Sequence, residues 1–559
     1  MPPRALSVIL RMSYATCSQM SPFLKHMIAA FIAGLSCVFG FAPFGLFPVP
    51  VLALAVLFAL WQRADTPRIA ARMSFAFGLG LFVAGISWIY VALHDYGDMP
   101  MLLALFATLL FAAFIALFPA LAGYAQARLP ALKGVWFKSP EQARRAKPDA
   151  ILSIPTHIAL CLLMPAVWVL AEWVRGTIFT GFPWLTLGYA HSDSPLAGYA
   201  PLLGVYGVSL VAAVSAGLLA WLYDVGAGHA RDKRHRGHGP LLPLTLIGII
   251  WAGGALLRTV AWTQPAGEPF SVALVQGNIA QDFKFNEDAL VGTLETYRRF
   301  AMQSEARLTV LPETALPLLR HEVPQALVEQ LRGRAKQNGG DILIGAFERD
   351  AGGYYNSVFT LGMAEEQHYR KQHLVVFGEF IPLRPLIGWF INGVLNIPMG
   401  DLARGGKQQT PLNVAGQRVA ANICYEDVFG EEIIRALPEA TLLVNFTNDA
   451  WYGHSHAAAQ HNQISQLRAL ESGRMMLRAT NTGVTSIISA DGKVLQQLPQ
   501  HQEAVLNSMA QGYQGITPYV RWGNAAVMLL LIAMLAYAWL RRTTSPLPQA
   551  GEGAEGGRG

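Results

Sequence analysis

The sequence predicts a chain in two parts: a membrane α-helical bundle of about eight transmembrane helices, and an extracytoplasmic layered α/β domain placed before the last of them. Three observations carry this reading. Hydrophobic residues make up 53% of the 559 positions and charged residues only 14%, against roughly 25% charged in an ordinary soluble domain; mean hydropathy is +0.33. Apolar runs of membrane-spanning length recur through the first half and return once near the C-terminus. Between them, from about Trp262 to Tyr519, short β-type runs alternate with helical patterns. This composition excludes a fully soluble enzyme and a disordered chain, and the lack of a short repeat period argues against a solenoid. The organisation expected is a tail over 1–26, a seven-helix membrane part over 27–261, an α/β domain over 262–519, a last membrane helix over 520–542 and a disordered tail over 543–559.

A bilayer core of about 30 Å needs about 20 apolar residues at 1.5 Å each. Seven such runs lie near 27–43, 48–62, 73–93, 101–125, 151–173, 199–223 and 241–257, with an eighth at 524–540. The second is the shortest. Arg63, Arg68 and Arg72 follow span two; Arg128, Lys133, Lys138, Arg144, Arg145 and Lys147 follow span four. Arg231, Lys233, Arg234 and Arg236 follow span six, and Arg541 and Arg542 follow span eight. The alternate loops (44–47, 94–98 and 176–198) are nearly bare of Lys and Arg. Positive loops stay in the cytoplasm. Both termini are therefore expected inside and the α/β domain outside, and the net charge of +6 reads as a topology signal rather than a nucleic-acid surface. Arg11 interrupts the short apolar stretch of residues 1–20, which do not resemble a cleavable signal.

The spans are almost free of charge, which speaks against a transporter or pump. Glu172 and Arg175 sit at the outer end of span five, and Gly78 and Gly80 read as packing residues rather than a nucleotide loop. Cys17, Cys37, Cys161 and Cys424 show no disulfide or zinc spacing.

In the α/β domain, β-type runs lie at 270–275, 308–311, 342–346, 357–361, 419–423, 442–445 and 484–489. Helical patterns lie at 288–304, 325–338, 430–437 and 457–474. Such alternation predicts a layered fold with a buried sheet. Glu313, Lys371 and Cys424 fall where strands end. Each has a plain alternative: a turn carboxylate, a surface lysine, a buried thiol packed as a small hydrophobe. Cys424 stands out as the one cysteine of a domain placed outside the cytoplasm, and so as a free thiol. Such a thiol needs a base or a pKa-lowering helix start; Glu313 offers the first and a helix beginning near 428–430 the second. A lysine nearby would hold charge where a tetrahedral oxyanion develops.

Leu311-Pro-Glu313, Lys371 with Phe377-Gly-Glu379-Phe-Ile-Pro382, and Ile423-Cys424-Tyr425-Glu426-Asp427 together resemble the carbon–nitrogen hydrolase (nitrilase) superfamily. Joined to the seven-plus-one spans, the chain is similar to the apolipoprotein N-acyltransferase family over nearly its whole length, from Phe31 to Arg542. Supporting stretches are Phe41-Ala-Pro-Phe44, Glu172-Trp-Val-Arg175, Thr180-Gly-Phe-Pro-Trp184, Val275-Gln-Gly-Asn278, Asn445-Phe-Thr-Asn-Asp-Ala-Trp-Tyr452 and Arg474 through Gly483.

The resemblance implies an α-β-β-α sandwich in which Cys424 attacks an acyl ester of a phospholipid, forming a thioester. The acyl chain then passes to the α-amino group of the diacylglyceryl-cysteine of an apolipoprotein, in the bacterial inner membrane with the sandwich in the periplasm. Glu313 would be base and acid, Lys371 the oxyanion stabiliser and Glu379 a carboxylate positioning either; Tyr425 and Glu426 would support the nucleophile loop. No metal or organic cofactor is implied. Two positions depart from the family pattern. Phe285 stands where Trp is usual, and the Pro usual before Gln460-His461 is missing, so that helix start is expected to differ.

The residues also point to lipid. The segment 377–399 is rich in apolar side chains beside Lys371 and Glu379, and Pro382, Trp389 and Phe390 in it are candidate lipid contacts. Phe182 and Trp184, at the outer end of span five, sit at the depth of interfacial aromatics; the resemblance implies instead that they line an acyl-chain entry, and that Phe285 keeps an aromatic wall without the indole N–H. His454, His456 and His461 lack the accompanying carboxylate or Cys spacing of a metal site and read as structural. Two other functions fit parts of the pattern: a membrane-anchored amidase using the same three residues, for which eight spans are far more than an anchor needs, and a transporter or receptor with a binding domain, against which the charge-poor spans speak.

Overall fold

Proline and hydroxyl caps set where the apolar helices begin. The computed structural model describes residues 21–128, 151–153, 155–229, 241–284, 287–382, 401–541 and 543–545. The first helix, Pro22–Ser36, starts five residues earlier than the apolar run because Ser21 accepts from the Leu24 amide and Pro22 fits the first turn. Thr66 and Pro67 do the same for Pro67–Gly85, which ends well before the expected 93; Trp88–His94 is a separate short helix.

Among the described residues, five helices are long and apolar enough to cross a bilayer by length and composition: Pro22–Gly40 with its final 3-10 turn, Pro67–Gly85, Met101–Arg128, Thr156–Arg175 and Pro195–Val225. Pro48–Trp61, Leu241–Leu257 and Ala525–Leu540 are apolar but shorter. The expected eight are therefore five of spanning length and three shorter helices. Pro48–Trp61 is 14 residues, about 21 Å at 1.5 Å per residue. It is buried along most of its length, with Leu57, Phe58 and Trp61 inaccessible, so it packs as an interior element of the bundle. The bundle closes backbone to backbone where small residues allow it: a Cβ on Gly34 would lie 1.8 Å from the Phe77 carbonyl oxygen, and one on Gly80 2.2 Å from that of Phe31. Thr543–Ser545, expected to open a disordered tail, pairs antiparallel with Ile151–Ser153, where span five was expected to begin. The expected tail 1–20 and most of the basic loops after spans four and six lie outside the described residues.

From Thr263 to Gly515 the chain forms two six-stranded sheets. The first runs, in spatial order, Ala504–Gly515, Thr263–Gln276, Leu308–Val310, Asp341–Asp350, Gly353–Gly362 and His368–Arg370. The second runs Val494–Gln497, Ser486–Ile488, Met476–Thr480, Leu442–Thr447, Gln417–Ile423 and Leu412–Val414. In each sheet three central strands are parallel and the flanking ones antiparallel. The central strands are buried on both faces, hence their continuous apolar runs. Leu274, Val310 and Leu343 of the first sheet share one core with Val419, Val444 and Leu477 of the second. Glu287–Gln303 and Gln325–Gln337 cover the outside of the first sheet. Ala457–Ser472 covers the outside of the second, and its other face meets the membrane helices. This is an α-β-β-α sandwich, as the resemblance implied. Five of its strands carry no strong apolar signal. Four are short or at the sheet margins, whereas Met476–Thr480 is central and fully buried but is broken by the charged Arg478.

Leu477 is inaccessible between the sheets. Leu477→Ala is expected to lower stability by about 2–5 kcal/mol, a transfer loss plus a cavity, read as a fall in the thermal midpoint of the detergent-solubilised protein with its secondary structure retained.

Candidate active site

The two sheets bring the ends of their parallel strands to one place. Leu308–Val310 runs into Leu311-Pro312-Glu313, whose turn is completed by Thr314 at φ 45°. Gln417–Ile423 ends at Cys424, which has φ 53° and opens a 3-10 turn, Cys424–Val428. A positive φ is uncommon for a residue with a side chain and is sustained only where its surroundings over-determine it. Lys371 follows the edge strand His368–Arg370, and its amide is tied to the Asn356 carbonyl (2.8 Å).

Lys371, Glu313, Glu379 and Cys424 are all buried. The Lys371 ammonium donates to Glu379 Oε1 at 2.8 Å and to Glu313 Oε1 at 3.5 Å. Asn356 Nδ2 donates to the same two oxygens, at 2.8 Å to Glu313 and 3.3 Å to Glu379, and the Val375 amide donates to the second oxygen of Glu379. Glu379 thus contacts Lys371 directly and meets Glu313 through Asn356. Burial by itself favours a neutral amine, but Glu379 and Glu313 hold the Lys371 ammonium above the ordinary lysine range. Burial, then the neighbouring Glu313 charge, pushes the Cys424 thiol well above its usual value, with Lys371 opposing. At rest Cys424 is therefore a thiol beside a carboxylate. The expected pKa-lowering helix does not fulfil that role: Gly430–Ile433 is a four-residue helix, and the turn that begins at Cys424 does not outweigh burial.

Glu426 fastens the Cys424–Val428 turn to the Lys371 segment. It accepts from the Ile423 and Gln372 amides (both 2.6 Å), the His373 amide (3.1 Å) and the Tyr369 hydroxyl (2.9 Å). Burial pushes its carboxyl up to about 7 against these donors. Tyr425 turns towards the membrane part, donating to the Gly181 carbonyl at 3.3 Å and lying parallel to Trp184 with ring centroids 6.4 Å apart.

Trp184 is not at a lipid interface. It is 1% exposed, donates to Gln460 Oε1 at 2.7 Å and packs against Trp88 and His461, so it braces the protein interior. Phe182 is half-buried against Phe111 of the long helix Met101–Arg128. The loop carrying both is held from within: Glu172 accepts from the Leu187 amide, and Arg175 donates to the carbonyls of Phe182 and Trp184. Pro382 is half-buried beyond Glu379. Phe285, Trp389 and Phe390 lie outside the described residues.

Sequence reasoning assigned no part to the groups beneath Cys424. The Cys424 carbonyl is held by Asn445 Nδ2 at 3.1 Å, with His461 Nε2 3.3 Å away. His461 lies between Asp427 (2.8 Å) and Asp449 (3.0 Å), and Arg478 reaches Asp427 (3.3 Å), Asp449 (3.0 Å) and Asn445 (2.8 Å). Ser465 donates to Asp427. Burial and Arg478 favour a neutral ring, yet the two aspartates raise the His461 pKa above the ordinary value. The prior signals were His461, read as structural, and the stretches 423–427, 445–452 and 474–483, which hold Asp427, Asn445, Asp449 and Arg478 without any role assigned to them. Among the described residues no His, Cys, Asp and Glu group could hold a metal ion. Lys284 was missed too: it is buried and donates to the Glu313 main-chain carbonyl at 3.0 Å.

His461→Leu would leave Asp427 and Asp449 buried with Arg478 as their one remaining cation in this cluster. The expected loss is about 3–5 kcal/mol, as for breaking a buried ion pair, measured by thermal or denaturant unfolding in detergent.

With this geometry in hand, comparison with known proteins is specific. Residues 33–218 match the family model described as the apolipoprotein N-acyltransferase N-terminal domain, and residues 271–510 match that of carbon–nitrogen hydrolase. The chain is 49% identical over 528 residues to the apolipoprotein N-acyltransferase of Nitrosomonas europaea, covering 93% of this chain and 99% of that protein. It is 41% identical over 542 residues to that of Methylococcus capsulatus (96% and 100% covered) and 44% identical over 518 residues to that of Ralstonia nicotianae (91% and 92%). The chain belongs to the apolipoprotein N-acyltransferase family, with a carbon–nitrogen hydrolase domain as its C-terminal part.

Proposed function

We propose that this family member transfers an acyl chain from a membrane phospholipid to the α-amino group of the N-terminal diacylglyceryl-cysteine of apolipoproteins, through a thioester on Cys424. The observation that carries the reading is the convergence of Glu313, Lys371 and Cys424 at the strand ends of both sheets, on a nucleophile loop packed against the membrane helices. A donor that never leaves the bilayer requires a nucleophile built against the membrane part. A membrane-anchored amidase would use the same three residues but gives no reason for that junction.

In the first half-reaction the Cys424 sulfur attacks the ester carbonyl while its proton passes to the Glu313 carboxylate. This order suits a thiol whose resting pKa is high and whose neighbour is a base. The Lys371 ammonium, held at full charge by Glu379, stabilises the tetrahedral oxyanion in a dry site where such stabilisation is strongest. Collapse expels the lysophospholipid alkoxide, which takes the proton from Glu313 and leaves the thioester. In the second half-reaction the acceptor amine attacks the thioester, Glu313 removes an amine proton, and the departing thiolate recovers it. Asn356 and Glu379 position the charged pair; Glu426, Tyr425 and the carbonyl clamp position Cys424. Donor and acceptor use one site in turn, and no metal or organic cofactor enters these steps. Phe182 and Pro382, with Phe285, Trp389 and Phe390, are assigned to the lipid-facing approach.

On this reading the chain sits in the bacterial inner membrane, and the basic loops of the sequence support a periplasmic sandwich with both termini cytoplasmic. On it the three shorter apolar helices complete an eight-helix bundle.

Intact mass spectrometry of the detergent-purified protein with a defined diacyl phospholipid is expected to show one added acyl chain on Cys424, released by hydroxylamine. Cys424→Ala should show none. Glu313→Gln should slow acylation by about 10²–10⁴-fold and Lys371→Met by about 10²–10³-fold. Initial rates with donor and a diacylglyceryl-cysteine peptide should give parallel double-reciprocal lines. Folded wild type that forms no adduct but hydrolyses small amides would overturn the proposal in favour of the amidase.

A further inference from the structure

The buried charges of the centre do not balance without a residue that the mechanism above leaves unused. Glu313 and Glu379 are two carboxylates, Lys371 is one ammonium, and the thiol is neutral. When the Cys424 proton moves to Glu313 and the oxyanion forms, a surplus negative charge would persist throughout, inside a site where an uncompensated charge is expensive.

Lys284 stands where that charge is needed. It is 2% exposed, and its ammonium donates to the main-chain carbonyl of Glu313 at 3.0 Å. Its position is built by three separate stretches of chain. Asn481 pairs with Ile279, accepting from its amide at 2.9 Å and donating to its carbonyl at 2.7 Å, while the Asn278 amide donates to the Asn481 carbonyl at 2.8 Å. Asn448 donates to Gln281 Oε1 at 2.8 Å and accepts from Asn481 at 2.9 Å. The short helix Gln281–Lys284 is thereby fastened to loops of the Cys424 sheet, while its lysine reaches the Glu313 turn of the other sheet. Burying an ammonium costs several kcal/mol, and the partner found for it is a carbonyl on the very residue assigned as the base.

Resting on the acyl-transfer reading, we propose that Lys284 is a second cation of the active centre: a positioning residue that fixes the Glu313 turn through its carbonyl and keeps the centre neutral while the oxyanion forms. The titratable groups facing it are the Glu313 carboxylate, on the turn after Leu308–Val310, and the Cys424 thiol, on the turn after Gln417–Ile423; Lys371 and Glu379 join the set through Glu313. Burial lowers the Lys284 pKa to about 8, with Glu313 and Cys424 pulling the other way. The ammonium is therefore present below about pH 8 and lost above it, and the compensating charge goes with it.

The test is single-turnover acylation of the full-length protein in mixed micelles of diacyl phosphatidylethanolamine and phosphatidylglycerol, followed by intact mass from pH 6 to 10, with thermal midpoints measured alongside. Wild-type acylation is expected to fall as pH rises through about 8. Lys284→Met should be slower by about 10–100-fold at pH 7, the scale of a lost electrostatic contact, and should lack that alkaline fall. Lys284→Arg, whose charge persists to high pH, should retain most of the rate and shift the fall upward by more than about one pH unit. Should the Met variant fail to fold, the upward shift in the Arg variant decides. A folded Met variant within about twofold of wild type, or two slowed variants with the alkaline fall unmoved, would overturn the charge role. Wild type that forms no adduct at all removes the acyl-transfer reading and this inference with it, whereas an adduct indifferent to Lys284 overturns this inference alone.

Discussion

Cys424 can present its sulfur at the end of a strand only because its own carbonyl is held in place. The backbone there is in the left-handed region, where a side chain costs on the order of 1 kcal/mol or more. Asn445 and His461 meet the carbonyl from below, and both are fixed in turn by Asp427, Asp449 and Arg478. The cluster is inaccessible to solvent, so its charges survive by pairing with each other. An array of this kind has few alternative arrangements. It converts a bend that most residues avoid into a single defined geometry.

The same logic of paired burial runs through the centre itself. Lys371 keeps its charge because two carboxylates outweigh its desolvation, and Asn356 locks both carboxylates in register with it. Burial keeps the thiol protonated at rest. On the proposed reading, reactivity is tied to proton transfer to Glu313 rather than to a standing thiolate, the form that oxidises readily.

The helices of the membrane part do more than hold the sandwich at the bilayer. Trp184, Tyr189 and Val205 reach Gln460, Val428 and Glu471 respectively, so the membrane part grips the Cys424–Val428 turn and the helix behind the second sheet. Arg468 and Glu471 form an ion pair inside this junction. Docking of this kind makes the geometry at Cys424 depend on the bundle, which separates this architecture from a soluble hydrolase tethered by an anchor.

Local signals determined much of this protein. Length and hydropathy placed the apolar helices, the continuous Val, Ile and Leu runs placed the central parallel strands, and the ends of those runs pointed to Glu313 and Cys424. What they could not decide was which polar residues are buried. Ala457–Ser472 carries Gln460, His461, Gln463, Gln466, Arg468 and Glu471, yet nearly all of it is buried between sheet and bundle. Arg478 interrupts a run that is nonetheless a central strand. Trp184 looks interfacial by depth and is internal by packing. Lys284 is one polar residue in a short polar stretch until Glu313 is folded against it. Helix and strand periods follow from neighbours three or four residues away, or two. The burial of a charge depends on partners as far apart in sequence as Val205 and Glu471, 266 residues distant, and only the tertiary structure brings those together.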